Sequence, residues 1–147
     1  MSSITSDNSS TKEFSDSVET DLAIVKIRQD EILEIRFKTD DYEVDVKDQL
    51  DIELAVLNLT DFGKKSFHIL VVPGPNATIT KEAREMEMFT SEAYRTQKSM
   101  AVVVIGLAQR IIGTLYFSLK KTKPNFPYKF FNSEAGATLW LKQQIGN

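Results

Sequence analysis

The sequence contains no cysteine among its 147 residues and only one histidine, His68. Without cysteine the chain has no disulfide framework, no thiolate metal site and no cysteine nucleophile. His68 stands between Phe67 and Ile69 in an apolar segment. A lone histidine lacks the second ligand or the partner that a metal site or a catalytic triad needs. We therefore expect a structural histidine, and we predict no catalytic residues and no metal site.

Long apolar runs and phosphate-binding loops are missing as well. The longest apolar runs have the length of a strand, far short of the ~20 residues of a membrane helix. The first residues lack the basic and apolar regions of a signal peptide. Gly106 and Gly113 do not form a G-x-G-x-x-G loop, and G-x-x-x-x-G-K-S/T does not occur. These absences predict a cytoplasmic protein without membrane insertion, without a cofactor and without enzymatic activity.

A cluster of lysines and aromatic residues near the C-terminus has the composition of a single-strand nucleic-acid platform. It comprises Lys120, Lys121, Lys123 and Lys129 with Phe126, Tyr128, Phe130 and Phe131. The net charge of the chain is −3, which disfavours binding to the negatively charged phosphates of a nucleic acid. The alternating aromatics also match the apolar face of a strand. We expect no nucleic-acid partner.

Charge and composition divide the chain into a tail and one domain. Residues 1–20 are rich in serine, threonine and acid and carry little apolar surface, so we predict a disordered tail. Residues 21–147 have the size of a single domain. Within that domain acids concentrate between Asp30 and Asp61, and bases concentrate after Ala93. This separation of acidic and basic segments indicates either a dipolar surface or ordinary solvated faces of separate helices.

Apolar periodicity predicts alternating strands and helices. The central feature is the run Met100–Ile105, which is typical of a strand buried on both faces, followed by a helix to Lys121. The other predicted strands are 22–28, 32–37, 67–72 and 128–131. The other helices start at the caps Asp45, Thr80 and Asn132 or Ser133. For the first we predict a buried stripe of Val46, Leu50, Leu54 and Leu57, and the second should reach about Gln97 as the most exposed helix.

The resulting order, β-β-α-β-α-β-α-β-α, predicts an α/β sandwich with a mostly parallel sheet and an antiparallel N-terminal strand. From Leu22 to Gln143 this order resembles the SpoIIAA-like fold of the STAS domains and their Sec14-type relatives, in an uncharacterised bacterial branch. The segments that carry the resemblance are Ile69–Val72, Ala77–Arg84, Arg110–Gly113, Pro127–Ala135 and Ala137–Leu141. The resemblance implies a non-enzymatic interaction or regulatory module. Its Sec14-type side implies the alternative of a carrier for a small apolar, lipid-type ligand.

Thr80 matches the hydroxyl residue that is phosphorylated in the anti-sigma antagonists of that family. Ile79 precedes it where the family has aspartate, and Lys81–Arg84 replaces the usual glycine-rich turn. Thr80 is thus a candidate phosphoacceptor or helix cap. The cap needs only a side-chain oxygen at the start of a helix, and we favour it.

The helix after Gly106 is apolar around more of its circumference than one sheet contact explains. Gly113 and Phe117 lie beside the two rows of residues that would face the sheet. A second apolar strip on a helix requires cover by a partner chain or by the Pro124–Pro127 loop. We predict a homodimer with Gly113 and Phe117 as candidate interface residues, and a second, unidentified protein partner fits the same class of function.

Overall fold

The computed structural model of the chain describes residues 16–86, 91–106 and 124–146. These residues form eight strands and four helices. The strands are β1 (Ser17–Glu19), β2 (Ala23–Ile27), β3 (Ile32–Phe37), β4 (Glu43–Val44), β5 (His68–Val72), β6 (Thr78–Ile79), β7 (Ser99–Val103) and β8 (Tyr128–Phe131). The helices are α1 (Val46–Leu59), α2 (Lys81–Glu85), α3 (Glu92–Arg95) and α4 (Glu134–Ile145).

Within the described ranges, the main sheet has six strands in the order β1-β2-β3-β5-β7-β8. The β1–β2 and β2–β3 pairs are antiparallel, whereas β3, β5, β7 and β8 run parallel to one another. β4 and β6 form a separate parallel pair. The predicted α/β class, with a mostly parallel sheet and antiparallel N-terminal strands, is therefore confirmed.

Helices cover the sheet on both faces. On one face, α1 packs over β1 and β2 and its residues Ile52, Val56 and Leu59 join the larger core cluster. On the other face, α4 packs over β5, β7 and β8 through Ala137 and Leu141. The alternation of side chains along β3 sends Leu33 and Ile35 toward α1 and Ile32 toward α4. β7 is buried on both faces, as its apolar run predicts.

The predicted buried stripe of α1 is wrong. Leu50 and Leu54 are 46% and 63% exposed, and the buried apolar residues are Ile52, Ala55, Val56 and Leu59. The helix carries two apolar rows, and periodicity alone does not say which of them faces the sheet. The row of Ile52, Val56 and Leu59 faces the sheet, which leaves Leu50 and Leu54 outside.

The predicted helix from Thr80 to about Gln97 is also wrong. α2 ends at Glu85, and Met86 has an extended backbone with φ −73° and ψ 136°. Ser91 starts the separate turn α3, which buries Ala93 and Tyr94 completely. A single straight helix can pack only one of its faces on the core. The break after Glu85 allows α3 to pack against α1 instead.

The predicted boundary of the disordered tail needs correction. Ser17–Glu19 forms β1, which pairs with β2 from Ser17 opposite Lys26 to Glu19 opposite Ile24. Val18 packs on the core, and Thr20 holds the turn, because its hydroxyl accepts a hydrogen bond from the Ala23 N–H at 3.0 Å. A short strand that pairs with an existing sheet edge needs only one apolar residue. One apolar residue is too weak a signal to predict a strand from the sequence. The first 15 residues lie outside the described part of the chain.

Candidate functional site

Thr80 acts as the N-cap of α2. Its Oγ1 accepts a hydrogen bond from the Ala83 N–H at 3.1 Å and donates one to Oδ1 of Asp45 at 3.2 Å. Asp45 is itself the N-cap of α1, with Asp48 completing the capping box. The hydroxyl is therefore engaged as donor and acceptor, and the group to which it donates is a carboxylate. This arrangement supports the cap.

The predicted caps at Asp45 and Ser133 are confirmed. Asp45 accepts from the Val46 N–H at 2.8 Å, and Ser133 accepts from the Gly136 N–H at 3.1 Å. Asp48 is buried, and it accepts a hydrogen bond from the Tyr42 hydroxyl at 2.9 Å. This bond, with burial as the smaller cause, raises the pKa of Tyr42. These groups stabilise the start of α1.

His68 pairs with Ser99, its register neighbour across β5 and β7. His68 Nδ1 lies 2.6 Å from Ser99 Oγ. Burial is the main cause that lowers the pKa of His68, and the nearby charge of Lys98 adds to it. Ser99 is only 1% exposed, so a substrate has no access to its hydroxyl. In the described residues no group of three or more histidine, aspartate or glutamate side chains is arranged to hold a metal ion.

An ion network surrounds the buried carboxylate of Glu34 on β3. Its oxygens lie 3.1 Å from Arg36 Nε, 3.6 Å from an Arg28 nitrogen and 3.9 Å from Lys26 Nζ. Arg36 also bonds Glu134 at the start of α4, and hydrogen bonds to Glu134 and then Glu34 raise the pKa of Arg36. With Asp30 bound to Arg28, three cations face three carboxylates. The network ties α4 to the sheet and has no excess charge for a ligand.

The surface between β1 and α1 combines exposed leucines with a groove. We call it the α1–β1 surface. The groove has a volume of about 390 Å³, and Leu50 and Leu54 stand on the same helix next to each other, four residues apart. Its lining residues are Val18, Glu19, Thr20, Asp21, Lys47, Asp51, Leu54, Ala55 and Asn58. Three carboxylates and one ammonium group thus surround an apolar floor.

A second groove lies on the outer side of α4, with a volume of about 490 Å³. Leu139 is its exposed apolar residue, at 61%, almost the same as Leu54 at 63%. The lining residues are Glu134, Ala135, Thr138, Leu139 and Lys142. One acid and one base balance each other here, and Arg36 already engages the acid. This groove is a matched reference for the α1–β1 surface.

Gly113 and Phe117, the candidate interface residues, lie outside the described residues. The sequence reasoning missed Leu50 and Leu54 as surface residues. The available signal was the presence of two apolar rows on α1, the same argument that singled out Phe117. Tilt and rotation of a helix on a sheet decide which row is buried, and neither is readable from spacing.

The chain belongs to the family described as a domain of unknown function (DUF7793). The model of this family matches residues 25–145, from the middle of β2 to the end of α4. No curated protein and no solved structure matches the chain. The resemblance to STAS domains therefore stays a prediction. Among the described residues, no helix is both long enough and apolar enough to span a bilayer.

Proposed function

We propose that this protein is a non-enzymatic interaction module, of the regulatory kind that STAS-like domains represent, and that it binds another polypeptide through the α1–β1 surface. The observation that carries the proposal is the exposure of Leu50 and Leu54 beside a groove. Burying a leucine completely contributes about 1.5–3 kcal/mol. Covering the exposed parts of both side chains would thus contribute about 2 kcal/mol, a useful share of a binding energy.

The chemistry of the polar groups supports a role without catalysis. The His68–Ser99 pair is buried, and the carboxylates of Asp48 and Glu34 are engaged by the protein itself. A catalytic acid, base or nucleophile has to reach a substrate in a cleft. None of these described groups meets that requirement.

Self-association is the second part of the proposal and rests on the sequence of the helix after Gly106. We expect Phe117→Asp to convert a dimer to a monomer in sedimentation velocity while circular dichroism stays native. A wild-type chain that is monomeric at high micromolar concentration contradicts the dimer. Phe117 then contacts the Pro124–Pro127 loop instead.

The partner is tested with two variants of equal exposure. Tagged wild type, Leu54→Asp and Leu139→Asp are purified from cells and examined by native mass spectrometry. We expect a co-purifying protein with wild type and with Leu139→Asp, and its loss with Leu54→Asp. Equal retention by all three contradicts the α1–β1 surface. A bound molecule of a few hundred daltons favours the alternative function, a small apolar-ligand carrier.

A further inference from the structure

β1 is an edge strand of the six-stranded sheet. The backbone N–H of Thr20 donates to the Ala23 carbonyl at 2.8 Å, and the Asp16 carbonyl accepts from the Ile27 N–H at 2.9 Å. The backbone groups of these two residues, which flank β1, therefore point toward β2. In an antiparallel ladder the inward and outward backbone groups alternate. Ser17 and Glu19 therefore direct their N–H and C=O groups to the outer edge. No described strand occupies this outer edge, so another strand can pair there.

The same edge borders the groove of the α1–β1 surface. Val18 points to the core side on which α1 packs, and it lines the groove together with Leu54 and Ala55. A strand added to β1 would lie about 4.8 Å away and send alternate side chains toward α1. The edge of β1 thus provides backbone hydrogen-bonding groups, and the adjacent groove provides an apolar contact. Proteins that bind a peptide by strand addition use this combination.

The charges around this edge favour a basic segment over a second copy of the chain as its binding partner. Asp16, Glu19, Asp21 and Asp51 surround it, and they outnumber the two lysines that contact them, Lys38 and Lys47. A second copy of the chain, paired edge to edge, would bring like charges together. A basic segment would meet opposite charge.

We infer that the α1–β1 surface binds an extended, basic peptide segment of another protein as an additional strand on β1. This inference rests on the proposed function and specifies its partner. Alternate residues of the segment are apolar and contact Val18 and Leu54. Its lysine or arginine residues alternate with the apolar ones, point to the opposite face of the sheet and lie near Glu19.

The probe is a fluorescent, capped octapeptide of alternating valine and lysine, titrated with the full chain and followed by anisotropy. We expect binding to wild type that weakens with salt, and no binding of the same peptide with glutamate in place of lysine. Ser17→Pro removes one outward N–H and leaves the β1–β2 bonds in place. It should weaken binding about fivefold, whereas Ser17→Ala, which keeps the N–H, should not.

Leu54→Asp should weaken probe binding about tenfold or more, because it removes the apolar contact. Leu139→Asp should bind like wild type. The inference is overturned when wild type does not bind the probe up to about 1 mM, when the glutamate peptide binds equally, or when Ser17→Pro and Leu54→Asp have no effect. If the probe fails while Leu54→Asp still removes a co-purifying protein, the proposed function stands and only the basic strand is wrong.

Discussion

The hydroxyl of Thr80 donates a hydrogen bond to the carboxylate of Asp45 at 3.2 Å, which links the N-caps of α1 and α2. The β4–β6 pair lies directly before these two caps and brings them together. Thr80 thus stabilises two helix starts with one side chain. Its chemistry is explained by this position without modification.

Removing the Thr80 cap should reduce stability. Thr80→Ala leaves the Ala83 N–H without its side-chain acceptor, and we expect a loss of about 1 kcal/mol in urea unfolding. Thr80→Ser keeps the oxygen and should lose less. Thr78→Ala, an exposed site on β6, should stay within about 0.5 kcal/mol of wild type and serves as the control. A Thr80→Ala protein as stable as wild type contradicts the cap.

Glu34 should contribute more to the free energy of unfolding than Glu134, the exposed acid that also pairs with Arg36. Glu34 is 4% exposed, and Glu34→Gln removes the charge that Arg28 and Arg36 both contact. We expect a loss of about 1.5–3 kcal/mol in urea unfolding, the range for hydrogen bonds to charged groups. Glu134→Gln alters a solvent-exposed pair and should cost at most about 1 kcal/mol. The reverse order would show that the α4 contact, and not the buried carboxylate, holds the network together.

Stability should fall in mildly acidic solution because of His68. Its pKa is lowered in the fold, chiefly by burial, so the unfolded chain binds a proton more readily. The contribution is fully present above the unfolded pKa of about 6.5 and is lost as the pH falls through the lower folded value. Urea midpoints between pH 8 and pH 5 measure this dependence. His68→Gln should flatten it, and an unchanged slope in that variant would exclude His68 as its source.

Truncations should separate β1 from the residues before it. Deleting residues 1–20 removes β1, its pairing with β2 and the contact of Val18 with the core. We expect the melting temperature to fall by about 5 °C, which for this size corresponds to more than about 1 kcal/mol. Deleting residues 1–15 keeps β1 and, from the polar composition of that segment, should change the melting temperature little. Equal melting temperatures of the two truncated chains would show that β1 adds no stability.

Local patterns were sufficient to predict most strands and the caps. The apolar run Met100–Ile105 predicts a doubly buried strand, and β7 is one. Asp45 and Ser133 are recognisable because N-capping depends on a side chain within three residues of the groups it bonds. The turn between β2 and β3 contains no glycine, and Glu31 takes its positive φ of 66°.

The α/β class and the mostly parallel sheet were determined by the sequence itself, because alternating short apolar runs and helical periods act locally. The tertiary structure decided which row of α1 is buried, where the helix after Thr80 breaks and that Ser17–Glu19 becomes an edge strand. It also decided the neighbours of Glu34, since Lys26 comes from the adjacent strand and Arg36 links it to Glu134, 98 residues further along the chain. These features depend on the energy of contacts between distant segments, and spacing along one segment carries no information about such contacts.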